Sequence, residues 1–351
     1  MDLNKLLSYS VDSGASDLHL SVGSIPMVRI NGTMQPLNMD PLKQEDIESI
    51  LPQILDEDQL HSFEKNKEID FSASLEGKGR FRVNFFNQIK GMAGVFRTIP
   101  EVVKDFDDLG IPPVLRSLAL LNRGLVLLTG PTGSGKSTTL AAMVDHINTQ
   151  RKCHIITIED PVEFVHPNKK SIISHREVGT HTNSFKAGLR AVTRQDADVV
   201  LVGELRDLET MALALSAAAM GTLVFGTLHT NSAAKTIDRI IDIFPVKQQA
   251  QVRTVLAESL AGIVAQQLLR KKGGKGRVAA TEILTGNHAV ASIIREGKIE
   301  RITSVIQAGK REGMQLLDDG LEKMVSTGVI EGSDAYMKAN EKRRFEQYMN
   351  Q

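Results

Sequence analysis

The chain has 351 residues, enough for two or three domains with cores of their own, and 41% hydrophobic and 24% charged content marks a soluble globular protein rather than a disordered one. Lys plus Arg (42) equals Asp plus Glu (42), so no global field draws the chain to nucleic acid or to an acidic membrane surface. A lone cysteine, Cys153, excludes an intrachain disulfide and a four-cysteine zinc site, and its apolar surroundings Cys153 to Ile158 suit a buried inert thiol in a reducing compartment.

The N-terminus, Met1-Asp2-Leu3-Asn4-Lys5, lacks the charged-then-apolar pattern of a secretory leader. Strand-like runs follow at Leu18 to Val22 and Met27 to Ile30, the second before an Asn31-Gly32 turn. Helical spacing predicts one helix from Lys43 to Phe63, carried by Ile47, Ile50, Leu51, Ile54 and Leu55. Gly79 to Asn87 and Gly91 to Ile99 predict a β-hairpin, with Arg82 and Arg97 on its opposite strands. Residues 1–100 thus read as a small mixed domain, and the acidic, proline-containing stretch 101–113 as a linker to a domain spanning 114–351.

From Gly124 strands and helices alternate. Leu125 to Thr129, Cys153 to Glu159, Val199 to Gly203 and Leu223 to Leu228 are apolar on both faces, and helices are expected after the first strand, at Ser184 to Arg194, at Leu208 to Ala219 and after Leu228. This is an α/β pattern, a parallel sheet covered on both sides. The uncharged stretch Met211 to Leu228 is long enough to span a bilayer, but Gly221 and Thr222 split it into a helix and a strand, so no membrane span is expected. Beyond Gln248 the pattern is mostly helical, and the basic run Arg270 to Arg277 has no interleaved aromatic, as expected of a solvated loop rather than a nucleic-acid patch.

Between the strand ending at Thr129 and the helix beginning near Thr138 lies Gly130-Pro131-Thr132-Gly133-Ser134-Gly135-Lys136-Ser137, the spacing G-x-x-x-x-G-K-[ST] of a phosphate-binding loop. Small residues let the backbone N–H groups of Thr132, Gly133, Ser134, Gly135, Lys136, Ser137 and Thr138 turn inward around a phosphate at a helix N-terminus. Lys136 can reach β and γ phosphates, and the Ser137 hydroxyl can ligate Mg²⁺, so ATP and Mg²⁺ are the expected ligands. Hydrolysis needs a further carboxylate beside the metal, and Val199 to Val202 leads through Gly203 to Glu204. Asp is usual there; Glu204 is one methylene longer and can act through a Mg²⁺-bound water. A second acidic cluster, Glu159-Asp160-Pro161-Val162-Glu163, follows the strand ending at Ile158, and one of its carboxylates can orient the attacking water. His229 closes the strand Leu223 to Leu228, placed to sense the γ-phosphate or a neighbouring subunit.

Three segments together resemble the Asp box, Walker B and His box of the secretion ATPases: Thr157-Ile158-Glu159-Asp160-Pro161-Val162-Glu163-Phe164, Asp198 to Asp207, and Gly226-Thr227-Leu228-His229-Thr230 followed by Ala234 to Arg239. With the opening Ala15-Ser16-Asp17-Leu18-His19-Leu20, the chain is similar to the type IV pilus retraction branch over essentially its whole length. The resemblance implies a homohexamer of subunits with a PAS-like α+β N-terminal domain and a RecA-like P-loop ATPase domain. It implies a cytoplasmic motor that works on the pilus machinery through an inner-membrane platform protein and needs no insertion of its own.

By position, the resemblance makes Glu163 the catalytic carboxylate, Glu204 the Walker B group near Mg²⁺ and His229 the link to the subunit interface. Arg82 and Arg97, with Arg80 as an alternative, become N-domain arginines that reach the nucleotide. Two departures stand out. Ala289-Val290-Ala291-Ser292-Ile293-Ile294 replaces the branch's Ala-Ile-Arg-Asn-Leu-Ile, and Arg194-Gln195-Asp196-Ala197-Asp198 replaces Arg-Glu-Asp-Pro-Asp. The first bears on force generation and leaves hydrolysis untouched. Extension-type and type II secretion ATPases share the boxes, and a ring that binds ATP as a scaffold without mechanical work is the reading from another class.

Overall fold

The computed structural model describes residues 1–30, 32–75, 77–99, 103–274 and 276–348, so Asn31 of the expected turn and Lys275 of the basic run lie outside the described residues. The chain divides into two compact units, Met1–Val102 and Val103–Gln351.

The first unit is a six-stranded antiparallel sheet with helices on one face. Its strands are β1 (Asp17–Ser21), β2 (Met27–Ile30), β3 (Thr33–Pro36), β4 (Glu68–Leu75), β5 (Gly79–Gln88) and β6 (Gly91–Ile99), in the spatial order β3-β2-β1-β6-β5-β4. Strand alternation decides the faces: Phe81, Val83 and Phe85 of β5 are buried with Leu18, Leu20 and Phe96 against the helix Leu3–Asp12, while Arg80, Arg82 and Asn84 take the other face. The single helix expected over 43–63 is instead three, Gln44–Glu48, Leu51–Ile54 and Glu57–Asn66. Periodicity alone missed two stops. Pro52 fits only a first helical turn, and Asp56 caps a fresh helix by accepting from the Gln59 N–H while the Gln59 side chain accepts from its own.

The second unit is a seven-stranded sheet. Its strands are β7 (Gly124–Thr129), β8 (His154–Glu159), β9 (Ile172–Glu177), β10 (Val199–Val202), β11 (Leu223–Leu228), β12 (Leu260–Arg270) and β13 (Arg277–Thr285), in the order β13-β12-β7-β11-β10-β8-β9. All neighbours run parallel except β12 with β13. One face packs under the helices Leu208–Ala219 and Ala233–Asp242, the other under Lys136–Gln150. The pair β12 and β13 corrects the expectation of a helical region beyond Gln248. Leu260 to Leu269 is an apolar run whose length suits either structure, and the open edge of β7 decides for strand. The basic run becomes the turn of this hairpin, with Lys271, Lys272, Gly273 and Gly274 exposed. Of the stretch read as a linker, 101 and 102 lie outside the described residues, and the remainder falls in the second unit, where Phe106 and Ile111 are buried against Leu140 and Met143. Among the described residues no helix is long and apolar enough to cross a membrane.

Candidate nucleotide site

Parallel strands deliver their following loops to one edge. β7, β11, β10 and β8 are consecutive neighbours, with Thr129 opposite Leu228, and Val202 opposite both Gly226 and Ile158. The segments that leave this edge are therefore the phosphate loop, His229, Glu204 and the acidic cluster, which is the carboxyl edge where α/β sheets bind ligands. Backbone bonds sew the exits together: Gly130 N–H donates to Leu228 O at 3.3 Å, Gly203 N–H to Ile158 O at 2.8 Å and Leu205 N–H to Thr227 O at 3.1 Å.

The phosphate loop turns through positive φ at Gly130 (142°), Gly133 (76°) and Gly135 (87°). Gly135 is the left-handed N-cap of the helix Lys136–Gln150, which no side chain caps, so the first-turn N–H groups stay available to an anion. Lys136 Nζ lies across the loop and donates to the carbonyls of Gly130 (2.8 Å) and Pro131 (3.2 Å). Burial pulls its pKa below the ordinary lysine value, while the charges of Glu204 and then Glu163 push it back up, so both carboxylates act on the lysine's charge. Thr132 and Gly133 are exposed, Ser137 and Thr138 half-buried, and the buried Ser134 Oγ has no partner among the described residues. A glycine-rich turn at an uncapped helix N-terminus, with an ammonium group and an unsatisfied hydroxyl, fits a polyphosphate, and the half-buried first-turn Ser137 hydroxyl is a hard oxygen donor of the kind Mg²⁺ takes.

Glu204 pairs with the Arg206 guanidinium, Nη2 at 2.8 Å, and meets His229 Nε2 at 3.1 Å. Burial alone would raise its pKa, but the Arg206 and His229 bonds outweigh that and hold it below the usual carboxylate value. Glu163 is exposed. Its neighbour Glu159 differs: burial pushes that carboxyl to about 7, against hydrogen bonds from Thr157 and the Glu163 backbone. The loop between them is held by buried Glu177, which accepts from the Val162 N–H at 3.0 Å.

Arg82 and Arg97 belong to the first unit, where a register row runs Arg29, Asp17, Arg97, Arg82, Ser72 across the sheet. Arg82 Nε donates to Asp70 at 3.2 Å, and Arg97 Nε donates to Asp17 Oδ1 at 2.9 Å.

Sequence reasoning missed Gln266, because it missed β12. Its side chain is buried, donates from Nε2 to the Ser134 carbonyl (2.8 Å) and accepts at Oε1 from Thr139 Oγ1 (3.0 Å). Two adjacent glutamines inside an apolar run were the available signal. Its backbone also explains a glycine: a Cβ on Gly130 would stand 2.2 Å from Gln266 O. Gly130→Ala should therefore destabilise the protein by about 2 kcal/mol or more, combining a disfavoured φ with a backbone clash. That corresponds to a melting temperature lower by about 4 °C or more, and a melt within 1 °C of wild type would contradict it.

The family model described as "Type II/IV secretion system protein" matches residues 1–343. The chain belongs to this family. It is 50% identical over 339 residues to the "Type IV pilus retractation ATPase PilT" of Pseudomonas aeruginosa, covering 97% of this chain and 98% of that one. It is 48% identical to a "Twitching motility protein" of Neisseria gonorrhoeae, covering 90% and 84% respectively. A crystal structure of "the Pilus Retraction Motor PilT and Bound ADP" superposes with a TM-score of 0.92 at 44% identity over 99% of both chains. Within the secretion ATPases the chain is of the PilT type, a nucleotide-binding P-loop ATPase.

Proposed function

We propose that this protein hydrolyses ATP to drive type IV pilus retraction. The observation that carries the reading is that the phosphate loop with Lys136, the Glu204 segment and the Glu163 segment leave adjacent parallel strands at one sheet edge, in a chain 50% identical to a retraction ATPase over 97% of its length. The backbone from Thr132 to Thr138 and Lys136 hold the phosphates; Ser137 and Glu204 hold Mg²⁺. The metal, when bound, neutralises phosphate charge. Glu163, exposed at the same edge, polarises water, and His229 reads the state of Glu204 through their shared hydrogen bond and passes it to a subunit interface. The working form is a homohexamer in the cytoplasm, held at the inner membrane by a platform protein of the pilus machinery.

The test is phosphate release by purified hexamers without any added acceptor, together with pilus retraction in cells lacking the protein and cells restored with it. Hydrolysis and restored retraction are expected. Hydrolysis with no restoration would replace the motor with an ATP-binding regulator, the reading that Ala291 and Ser292 favour. Both sit on the helix His288–Glu296, where Ser292 Oγ donates to Glu296 at 2.9 Å in place of the branch's Arg and Asn.

The proposal also assigns Arg82 and Arg97 to the nucleotide. Their guanidinium groups stand on the sheet face away from the helices, and a guanidinium suits bidentate phosphate contact. Arg82→Ala and Arg97→Ala should each lower turnover about tenfold or more. Their stabilities should differ. Asp70 is well exposed and tolerates loss of Arg82 within about 0.5 kcal/mol, whereas Asp17 is only 9% exposed and relies on Ser16 and Arg97 to stay ionised against its burial. Arg97→Ala should therefore melt several degrees lower than Arg82→Ala. Full turnover in both variants would remove the arginines from the site.

A further inference from the structure

Gln266 and Glu282 are buried polar side chains on neighbouring strands, and neither belongs to a recognised box. The β12–β13 register pairs Gln266 with Thr281 and Ala265 with Glu282, so Gln266 and Glu282 project from opposite faces of the hairpin. Their apolar neighbours agree: Val264 and Ile283 pack in the core that contains Leu140 and Met143 of the phosphate-loop helix. Ile263 and Leu284 pack with Ile237 and Ile240 of the helix that follows His229.

Each side chain holds the segment on its own face. Gln266 is 2% exposed and uses both ends of its amide, Nε2 on the Ser134 carbonyl and Oε1 on the Thr139 hydroxyl, so it ties the phosphate loop to the first turn of its helix. Both of its bonds are buried, and a satisfied buried amide fixes geometry more tightly than apolar contact does. Glu282 is 6% exposed and accepts the Ala233 N–H at 2.8 Å. Ala233 is the first residue of its helix, where a side-chain acceptor satisfies an orphan donor at the positive end of the dipole. Ala233 lies four residues beyond His229, so Glu282 anchors the far end of the loop that presents His229 to Glu204.

We propose that the β12–β13 hairpin sets the phosphate loop and the His229 loop in register with each other, with Gln266 and Glu282 as positioning residues acting from its two faces. The inference rests on the nucleotide-hydrolysing reading above and adds a division of labour. Gln266 shapes the surface that binds phosphate, so its loss falls on affinity. Glu282 shapes the loop that couples to Glu204, so its loss falls on turnover.

The experiment measures, on the full-length protein, the Kd of a fluorescent ADP analogue, KM and kcat for ATP, and the melting temperature. Gln266→Leu should raise Kd and KM about tenfold with a smaller change in kcat, because it leaves Ser134 O and Thr139 Oγ1 unpaired. Glu282→Leu should lower kcat about tenfold with Kd within twofold, and Glu282→Gln, which keeps an acceptor for the Ala233 N–H, should recover most of that loss. If a leucine variant fails to fold, Gln266→Glu and Glu282→Met carry the same expectations. Wild-type Kd and KM in the Gln266 variant, or wild-type kcat in the Glu282 variant, would overturn the inference while leaving an ATP-hydrolysing wild type intact. A wild-type protein that neither binds the analogue nor releases phosphate would overturn the functional reading itself.

Discussion

Lys136→Ala should abolish ATP turnover and weaken nucleotide binding by about 10²-fold, since it deletes the point charge facing the β and γ phosphates and the charge-assisted bonds it makes. The structure adds why so much rests on one side chain. Lys136 Nζ is held by two loop carbonyls, and the nearby Glu204 and Glu163 are both negative. Without the lysine, Glu163 and the Glu204–Arg206 pair would stand near an incoming polyphosphate without the loop's own positive charge. The fold should be largely indifferent, because Lys136 is half-buried, its bonds are to its own loop, and the helix behind it is anchored by Leu140, Met143, Val144 and Ile147. Equilibrium titration with a fluorescent ATP analogue, beside a thermal melt, checks both halves. Wild-type affinity in the variant would sink the phosphate-loop assignment, and a collapse in melting temperature would mean the lysine is structural.

What was legible in the sequence was what is local. The phosphate loop advertises itself in eight consecutive residues, and β7, β8, β10 and β11 are apolar on both faces because helices cover both, so each run announced a buried strand. Glu204 and His229 were found because a parallel sheet brings every strand exit to one edge whatever the order of the strands. Hidden were the features that depend on that order. β12 lies more than 130 residues after β7 in the chain yet pairs with it, and only that pairing puts Gln266 against Ser134. The partners of Arg82 and Arg97 were equally invisible: Asp70 and Asp17 are separated from them by 12 and 80 residues and meet them through register. The environment of Glu159 and Glu163 was hidden as well, because two carboxylates in one motif look alike until the fold gives them different exposure.

That separation frames the most discriminating chemical test. Glu163→Gln keeps size and hydrogen bonding but removes the charge that polarises water, so ATP should bind normally while turnover falls about 10²-fold or more. Glu204→Gln should read out differently. Its carboxylate is already held below the usual pKa by Arg206 and His229 and is the group proposed to hold Mg²⁺, so its loss should weaken the Mg²⁺ dependence of binding as well as turnover. Glu159 is the internal competitor, since a carboxyl near pKa 7 matches the proton affinity expected of a general base at neutral pH. Glu159, however, is only partly open to solvent, whereas Glu163 is exposed, and a group that orients the attacking water must reach it. Steady-state ATPase rates across pH settle the matter. If Glu163 acts, Glu159→Gln retains most of the turnover and Glu163→Gln loses it at every pH. If Glu159→Gln instead abolishes turnover and Glu163→Gln does not, the catalytic role belongs to Glu159, and the wild-type rate should rise through pH 7 as Glu159 loses its proton.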